Sequence, residues 1–227
     1  METRVDVIDF HAHVLPCADH GSDSVETSLW QLDQARLNGV SRVIATPHFY
    51  PTSHSLDHFL ERRNRAYKEL LKKKSDDFPE IKLGAEVLAC NGIENLDGLE
   101  QLCIEGTRCL LLELPFSDFS EDYPLCVTKL RSKGYEVVLA HAERYNSENV
   151  NAMVDAGALI QLNAEALCGL FINSSVKNWI QDGTVVALGS DIHMRDRTAY
   201  KKMRKAISRF PSLRSSVIEF CEKIWNK

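Results

Sequence analysis

Seven short runs of apolar and β-branched residues recur along the chain, each bounded by turn residues and followed by a longer, helix-like pattern. They predict strands over 5–10, 41–46, 80–86, 109–114, 136–141, 158–163 and 184–189. Near-continuous hydrophobicity, as in CLLLEL and EVVLAH, suits strands covered on both faces, the situation in a parallel sheet flanked by helices. Helices are expected over 25–38, 55–74, 95–105, 121–133, 147–156, 174–182, 198–208 and 211–225. The first follows Asp23-Ser24 and stops at Gly39, which supply N-cap and C-cap signals. Strand then helix, about seven times over, restricts the chain to an α/β barrel or an open doubly wound sheet. No linker, repeat or compositional break interrupts the 227 residues, so one domain over 1–227 is expected.

The C-terminal tips of these strands carry the chemistry. The first, VIDFHAH, ends in His11 and His13, and the second ends in His48. Glu86, Glu113 and His141 close the third, fourth and fifth; the seventh runs into Asp191 and His193. Gln161 and Asn163 end the sixth. In a closed parallel barrel all tips share one face, whereas an open sheet spreads them along an edge. Convergence of so many donors favours closure. Strand alternation then sends His11 and His13 to the same side, within reach of one metal ion.

A single strand-end histidine is more often a hydrogen-bonded structural residue than a ligand. Six of the eight histidines lie at or beside tips, however, together with three acids. Buried charges require partners, and metal cations supply them. Imidazole and carboxylate without thiolate suit manganese, iron or zinc. The candidates are His11, His13, His20, His48, Glu86, Glu113, His141, Asp191 and His193. Nine donors serve three ions if one acid bridges two of them. His20 lies in the loop LPCADHGS, where Asp19 is an equal competitor, while His54 and His58 read as surface residues.

Composition narrows the function classes. A formal net charge of -5 argues against a dedicated nucleic-acid binder. No apolar run approaches the roughly 18–20 residues of a membrane helix, and the N-terminus lacks a signal-peptide pattern; no membrane insertion and a cytoplasmic location are expected. The seven cysteines are scattered without a CxxC pair, and Cys103, Cys109, Cys126 and Cys168 read as small core residues. The runs Lys72-Lys73-Lys74 and Lys201 to Lys205 read as solvated helix faces.

The ordered set HxH, a loop acid or histidine before Gly, TPH, two strand-end glutamates, HAERY and SDIH resembles the PHP (polymerase and histidinol phosphatase) superfamily. ATPH, LLELPF, LAHAERY and GSDIH are similar to the bacterial manganese-dependent protein-tyrosine phosphatases of capsule and exopolysaccharide operons. The resemblance implies a distorted seven-stranded, TIM-like (β/α) barrel holding three divalent metals, manganese before iron or zinc. His11, His13, Glu86 and Asp191 would hold the first; Glu86 as bridge, Glu113 and His141 the second; His20, His48 and His193 the third. Arg144 would bind the phosphoryl group. The chain departs from the phosphatase branch at Asp19-His20-Gly21, where that branch reads Asp-Asp-Gly, and at HMRDRTAY, where Arg195 or Arg197 would take a phosphate contact.

The expected activity is hydrolysis of a phosphate monoester by metal-activated water, on a phosphotyrosyl protein such as a bacterial tyrosine kinase. Three divalent ions less three carboxylates leave about +3, matching a dianionic ester. A tyrosine leaving group, with a pKa near ~10, needs little acid help; Asp191 and His193 are the candidates to assist. Substrate choice is assigned to the loops 14–24, 49–57, 115–122 and 194–199. Rival readings are a histidinol-phosphate phosphatase, a two-metal deoxyribonuclease of amidohydrolase type, and a metal-stabilised scaffold without activity.

Overall fold

Apolar runs too short for helices pair into parallel ladders, and the amphipathic stretches between them cover those ladders. The computed structural model describes residues 7–227, without the side chains of residues 211 and 212; residues 5 and 6 of the first expected strand lie outside that range. The strands are β1 (Val7–Ala12), β2 (Val40–Ala45), β3 (His48–Phe49), β4 (Glu80–Leu83), β5 (Glu86–Leu88), β6 (Cys109–Glu113), β7 (Glu136–Leu139), β8 (Leu159–Asn163) and β9 (Val185–Gly189). The helices are α1 (Val25–Leu37), α2 (Leu56–Leu71), α3 (Tyr123–Ser132), α4 (Ser147–Asp155), α5 (Ser174–Gln181), α6 (Ala199–Arg209) and α7 (Pro211–Trp225).

The strands form two parallel sheets, one ordered β1-β2-β4 and the other β3-β5-β6-β7-β8-β9. A single seven-stranded closed barrel is therefore not what the ladders show among the described residues. The third expected strand is split in two, and the second, 41–46, forms as β2 with the short β3 following beyond it. Pro47, which has no N–H to give a ladder, separates β2 from β3, and Gly84-Ala85 separates β4 from β5. Bonds outside the ladders cross these breaks: Gly84 N donates to Ala45 O (2.9 Å) and Glu86 N to Pro47 O (3.1 Å). At the far edge, Asp191 N, just past β9, donates to His11 O of β1 (2.9 Å).

Most expected helices form where the caps place them. The Ser24 side chain accepts from Thr27 N at the start of α1, and Gly39 turns the chain at a φ of 84° just beyond its end. The helix expected over 95–105 does not form. Gly92 and Gly98 both adopt left-handed φ, leaving only two short 3-10 turns, Ile93–Asn95 and Leu99–Leu102. One buried apolar cluster runs from Ile8 to Ile224, with Phe10, Ile44, Leu111, Val138, Ile160 and Leu188 inside it. Cys103, Cys109, Cys126 and Cys221 belong to that cluster, whereas Cys168 is only half-buried; all seven cysteines are free thiols.

Candidate metal centre

Glu86 opens β5 and is fully buried. One of its carboxylate oxygens, Oε2, lies 3.1 Å from His11 Nε2, 3.2 Å from His13 Nε2 and 2.9 Å from His48 Nδ1. The other, Oε1, lies 2.7 Å from His141 Nε2. Four imidazoles from three different strand ends thus converge on one acid. The alternation argument for VIDFHAH holds, because His11 Nε2 and His13 Nε2 stand 3.0 Å apart. Asp191 Oδ1 faces the same pair at 3.7 and 3.4 Å, and His193 Nδ1 at 3.5 Å. Glu113, at the end of β6, is 3.7 Å from His48 and 3.8 Å from His141. His20 is exposed, yet its ring stacks on those of His48 (4.8 Å) and His193 (4.7 Å), so the loop brings it to the cluster. All nine expected donors are gathered at one rim.

Backbone strain and close approach support this assembly. His141 and Asp191 adopt positive φ, at 32° and 48°, which a residue with a side chain takes only where its surroundings fix it. Two glycines make the room. A Cβ on Gly21 would meet His13 Cβ at 2.0 Å, and one on Gly189 would meet His11 Cβ at 2.6 Å.

Several residues outside the nine expected donors support them. Gln161 Oε1 faces His11 Nδ1 (3.1 Å) and accepts from His141 N (2.7 Å), and its amide donates to Asn163 Oδ1 (3.0 Å). Asn163 Nδ2 in turn donates to Asp191 Oδ2 (3.0 Å). Tyr145 OH lies 3.1 Å from His141 Nδ1. Asp19, weighed as a ligand against His20, faces the first donor strand: its Oδ2 is 2.7 Å from His13 Nδ1 and accepts from His48 N (3.0 Å). Such partners fix the tautomer and orientation of a ligating ring. Asp9 ties the first strand to the loop after the last, accepting from Ser190 N (2.8 Å) and Ser190 Oγ (2.5 Å); burial pushes its carboxyl up to about 6 against those bonds. The alternating pattern of buried polar side chains on β1 and β8 was the available signal.

The donor set fits divalent cations. Ligand atoms within 4.8 Å of one another occur in three overlapping trios: His13, His48 and His193; His11, His13 and Asp191; His48, Glu86 and Glu113. His193 Nε2 and Glu113 Oε2 are buried without a hydrogen-bond partner, which is costly unless a further group satisfies them. Burial and the neighbouring charge of His13 hold His193 down at about 4, so its imidazole is neutral and able to donate a lone pair.

Arg144 projects from the short 3-10 turn after β7, 43% exposed, its Nη2 2.6 Å from Asp191 Oδ2. Beside it lies an open cavity of about 160 Å³ lined by residues 114–119, Tyr145, Asn146 and Asn149. Phe116, 73% exposed, is parallel to the His141 ring at 6.4 Å and 5.7 Å from Tyr145. Arg197 is exposed and, among the described residues, makes no ion pair with the cluster. His54 is half-buried, its Nδ1 3.4 Å from Tyr50 N, and His58 is exposed; neither belongs to the donor set.

Scaffold and donor set together define an α/β protein whose histidines and carboxylates meet at the C-terminal ends of parallel strands. The chain belongs to the capsular polysaccharide synthesis CpsB/CapC family, whose model matches residues 7–212. CapC of Staphylococcus aureus is 28% identical over 202 residues, covering 82% of this chain and 77% of that protein. The tyrosine-protein phosphatase YwqE of Bacillus subtilis is 28% identical over 174 residues, covering 73% and 67%. The fold is shared with a crystal structure from the study of YwqE and Streptococcus pneumoniae CpsB, described as metal-dependent tyrosine phosphatases: TM-score 0.73, 23% identity, 89% of this chain and 86% of the other.

Proposed function

We propose that this protein is a metal-dependent protein-tyrosine phosphatase. The observation that carries the reading is the convergence of His11, His13, His48 and His141 on the buried carboxylate of Glu86. His11, His13, Glu86 and Asp191 would hold one divalent ion; Glu86, Glu113 and His141 a second; His20, His48 and His193 a third, with manganese preferred over iron or zinc. When bound, such ions polarise phosphoryl oxygens and lower the pKa of water.

The chain's own groups do the rest. Arg144 stands at the rim with its guanidinium free on one side to take two phosphoryl oxygens, a geometry lysine does not offer. Gln161, Asn163, Tyr145 and Asp19 hold the donor rings and Asp191 in place. Phe116 and Tyr145 flank the cavity beside Arg144, where an aryl group on the phosphate can lie flat. Phenolate leaves with little protonation, so the leaving group requires no strong acid; Asp191 and His193 are the residues this reading assigns to any assistance. Arg197 reaches phosphate only if its loop folds inward.

The substrate in this reading is a phosphotyrosyl protein, with a bacterial tyrosine kinase as the partner and the cytoplasm as the location. The same reading treats residues 1–227 as one domain and the two sheets as one rolled, seven-stranded barrel. The Asp191 N to His11 O bond between its first and last strands supports that view.

Chelator treatment followed by assay on p-nitrophenyl phosphate, a phosphotyrosyl peptide and histidinol phosphate tests the proposal. Activity should vanish, return with added manganese, and favour the aryl esters. Full activity after demonstrated metal removal would end it, and preference for histidinol phosphate would transfer the site to the rival phosphatase.

A further inference from the structure

The chain is acidic overall, at -5, yet residues 195–209 carry seven Lys or Arg and a single acid, Asp196. Helix α6 buries Ala199, Tyr200, Met203 and Ala206 against the core, which turns Lys201, Arg204 and Lys205 outward on the opposite face. Next to this face stands the loop after β8. Its tip, Leu170-Phe171, is the most exposed large apolar pair in the described structure, at 92% and 94%. Helix and loop are joined: Lys205 Nζ donates to Cys168 O (3.0 Å) and Arg209 Nη1 to Leu167 O (3.1 Å) and Gly169 O. The basic helix therefore holds the apolar tip out from the surface, with cations around its base.

We propose that this face docks the protein on an anionic lipid surface. The inference does not depend on the phosphatase reading: Leu170, Phe171, Lys201, Arg204 and Lys205 have no part in the donor cluster or the phosphate contacts assigned above. A protruding Leu-Phe pair can enter the interfacial zone of a bilayer while the neighbouring lysines and arginines remain at headgroup level. A cluster of cations is attracted to acidic headgroups, and the attraction fades with salt. A second copy is a poor occupant, because a two-fold contact would set this basic face against itself. An acidic protein remains the competing occupant, but a convex two-residue tip offers it no groove.

Flotation of the full chain with vesicles separates these cases. Vesicles of phosphatidylcholine mixed with phosphatidylglycerol should carry the protein at low salt, and phosphatidylcholine alone should not. Raising the salt should release it. The pair Lys201→Glu and Arg204→Glu should weaken binding by about fivefold or more per reversed charge. Leu170→Ser with Phe171→Ser should abolish retention, while turnover of p-nitrophenyl phosphate and the thermal midpoint stay at wild-type values in both variants. No flotation with anionic vesicles overturns the proposal, as does equal binding by the serine and wild-type chains. Self-association in sedimentation that the serine variant loses, without vesicle binding, assigns the face to a second copy instead.

Discussion

At the scale of single residues, the cluster depends as much on groups that orient donors as on the donors. Gln161 is shared by His11 and the backbone of His141, so it fixes two rings that approach Glu86 from different strands. Gln161→Leu keeps the volume and removes the hydrogen bonds. Loss of such support lowers metal affinity or activity by about 10–100-fold. Metal titration followed by aryl phosphatase assay should show that loss with the fold intact by circular dichroism, and wild-type affinity would remove Gln161 from the scheme. Gly21→Ala is a steric test. Its new methyl would overlap His13 Cβ, so the loop or the ring must shift. An overpacked site costs about 1–3 kcal/mol, and denaturant unfolding should register it together with reduced metal content.

At the scale of elements, the donors lie in or just past β1, β3, β5, β6, β7 and β9, with His20 on a loop, and the loops beyond decide what reaches them. The 114–119 segment after β6 carries Phe116 over the mouth. Replacing Phe116 by Ala should raise KM for aryl phosphates by about 10-fold, the worth of an aromatic pair plus its buried area, and leave KM for an alkyl phosphate nearly unchanged. Equal effects on both substrates would show that the ring only packs against His141. The elements also mark where periodicity misleads. Leu96, Leu99 and Leu102 have helical spacing, yet Gly92 and Gly98 break the stretch into 3-10 turns, and the leucines point inward from those turns all the same. Apolar spacing reported burial there and misjudged the backbone.

At the scale of the whole molecule, the cluster is a concentration of buried charge that the fold must restrain. Glu86 and Glu113 are buried and Asp191 nearly so, among six imidazoles. Divalent ions that bind the folded chain alone stabilise it, by about 2.7 kcal/mol at a hundredfold excess over Kd. Chelation should therefore lower the thermal midpoint and added manganese should restore it in a concentration-dependent way. Because ligating histidines must be deprotonated, the stabilisation should shrink as the pH falls. A midpoint indifferent to chelator and to manganese would mean that no ion occupies the cluster.

The order of donors along the chain, from His11 to His193, follows from local pattern alone. Apolar runs announce strands, and the residue that ends a run is read directly. For that reason the helix limits of α1, α4 and α5, capped by Ser24, Asn146 and Asn173, were also legible. Sequence could not reveal which oxygen of Glu86 faces which ring, that Asp19 sits against His13 while the His20 ring stacks on His48 and His193, or that the chain changes sheet at Pro47 and at Gly84. The Glu86 contacts join residues far apart in the chain, as does that of His11 with Gln161, 150 positions away, and side-chain direction at such a distance is set by packing.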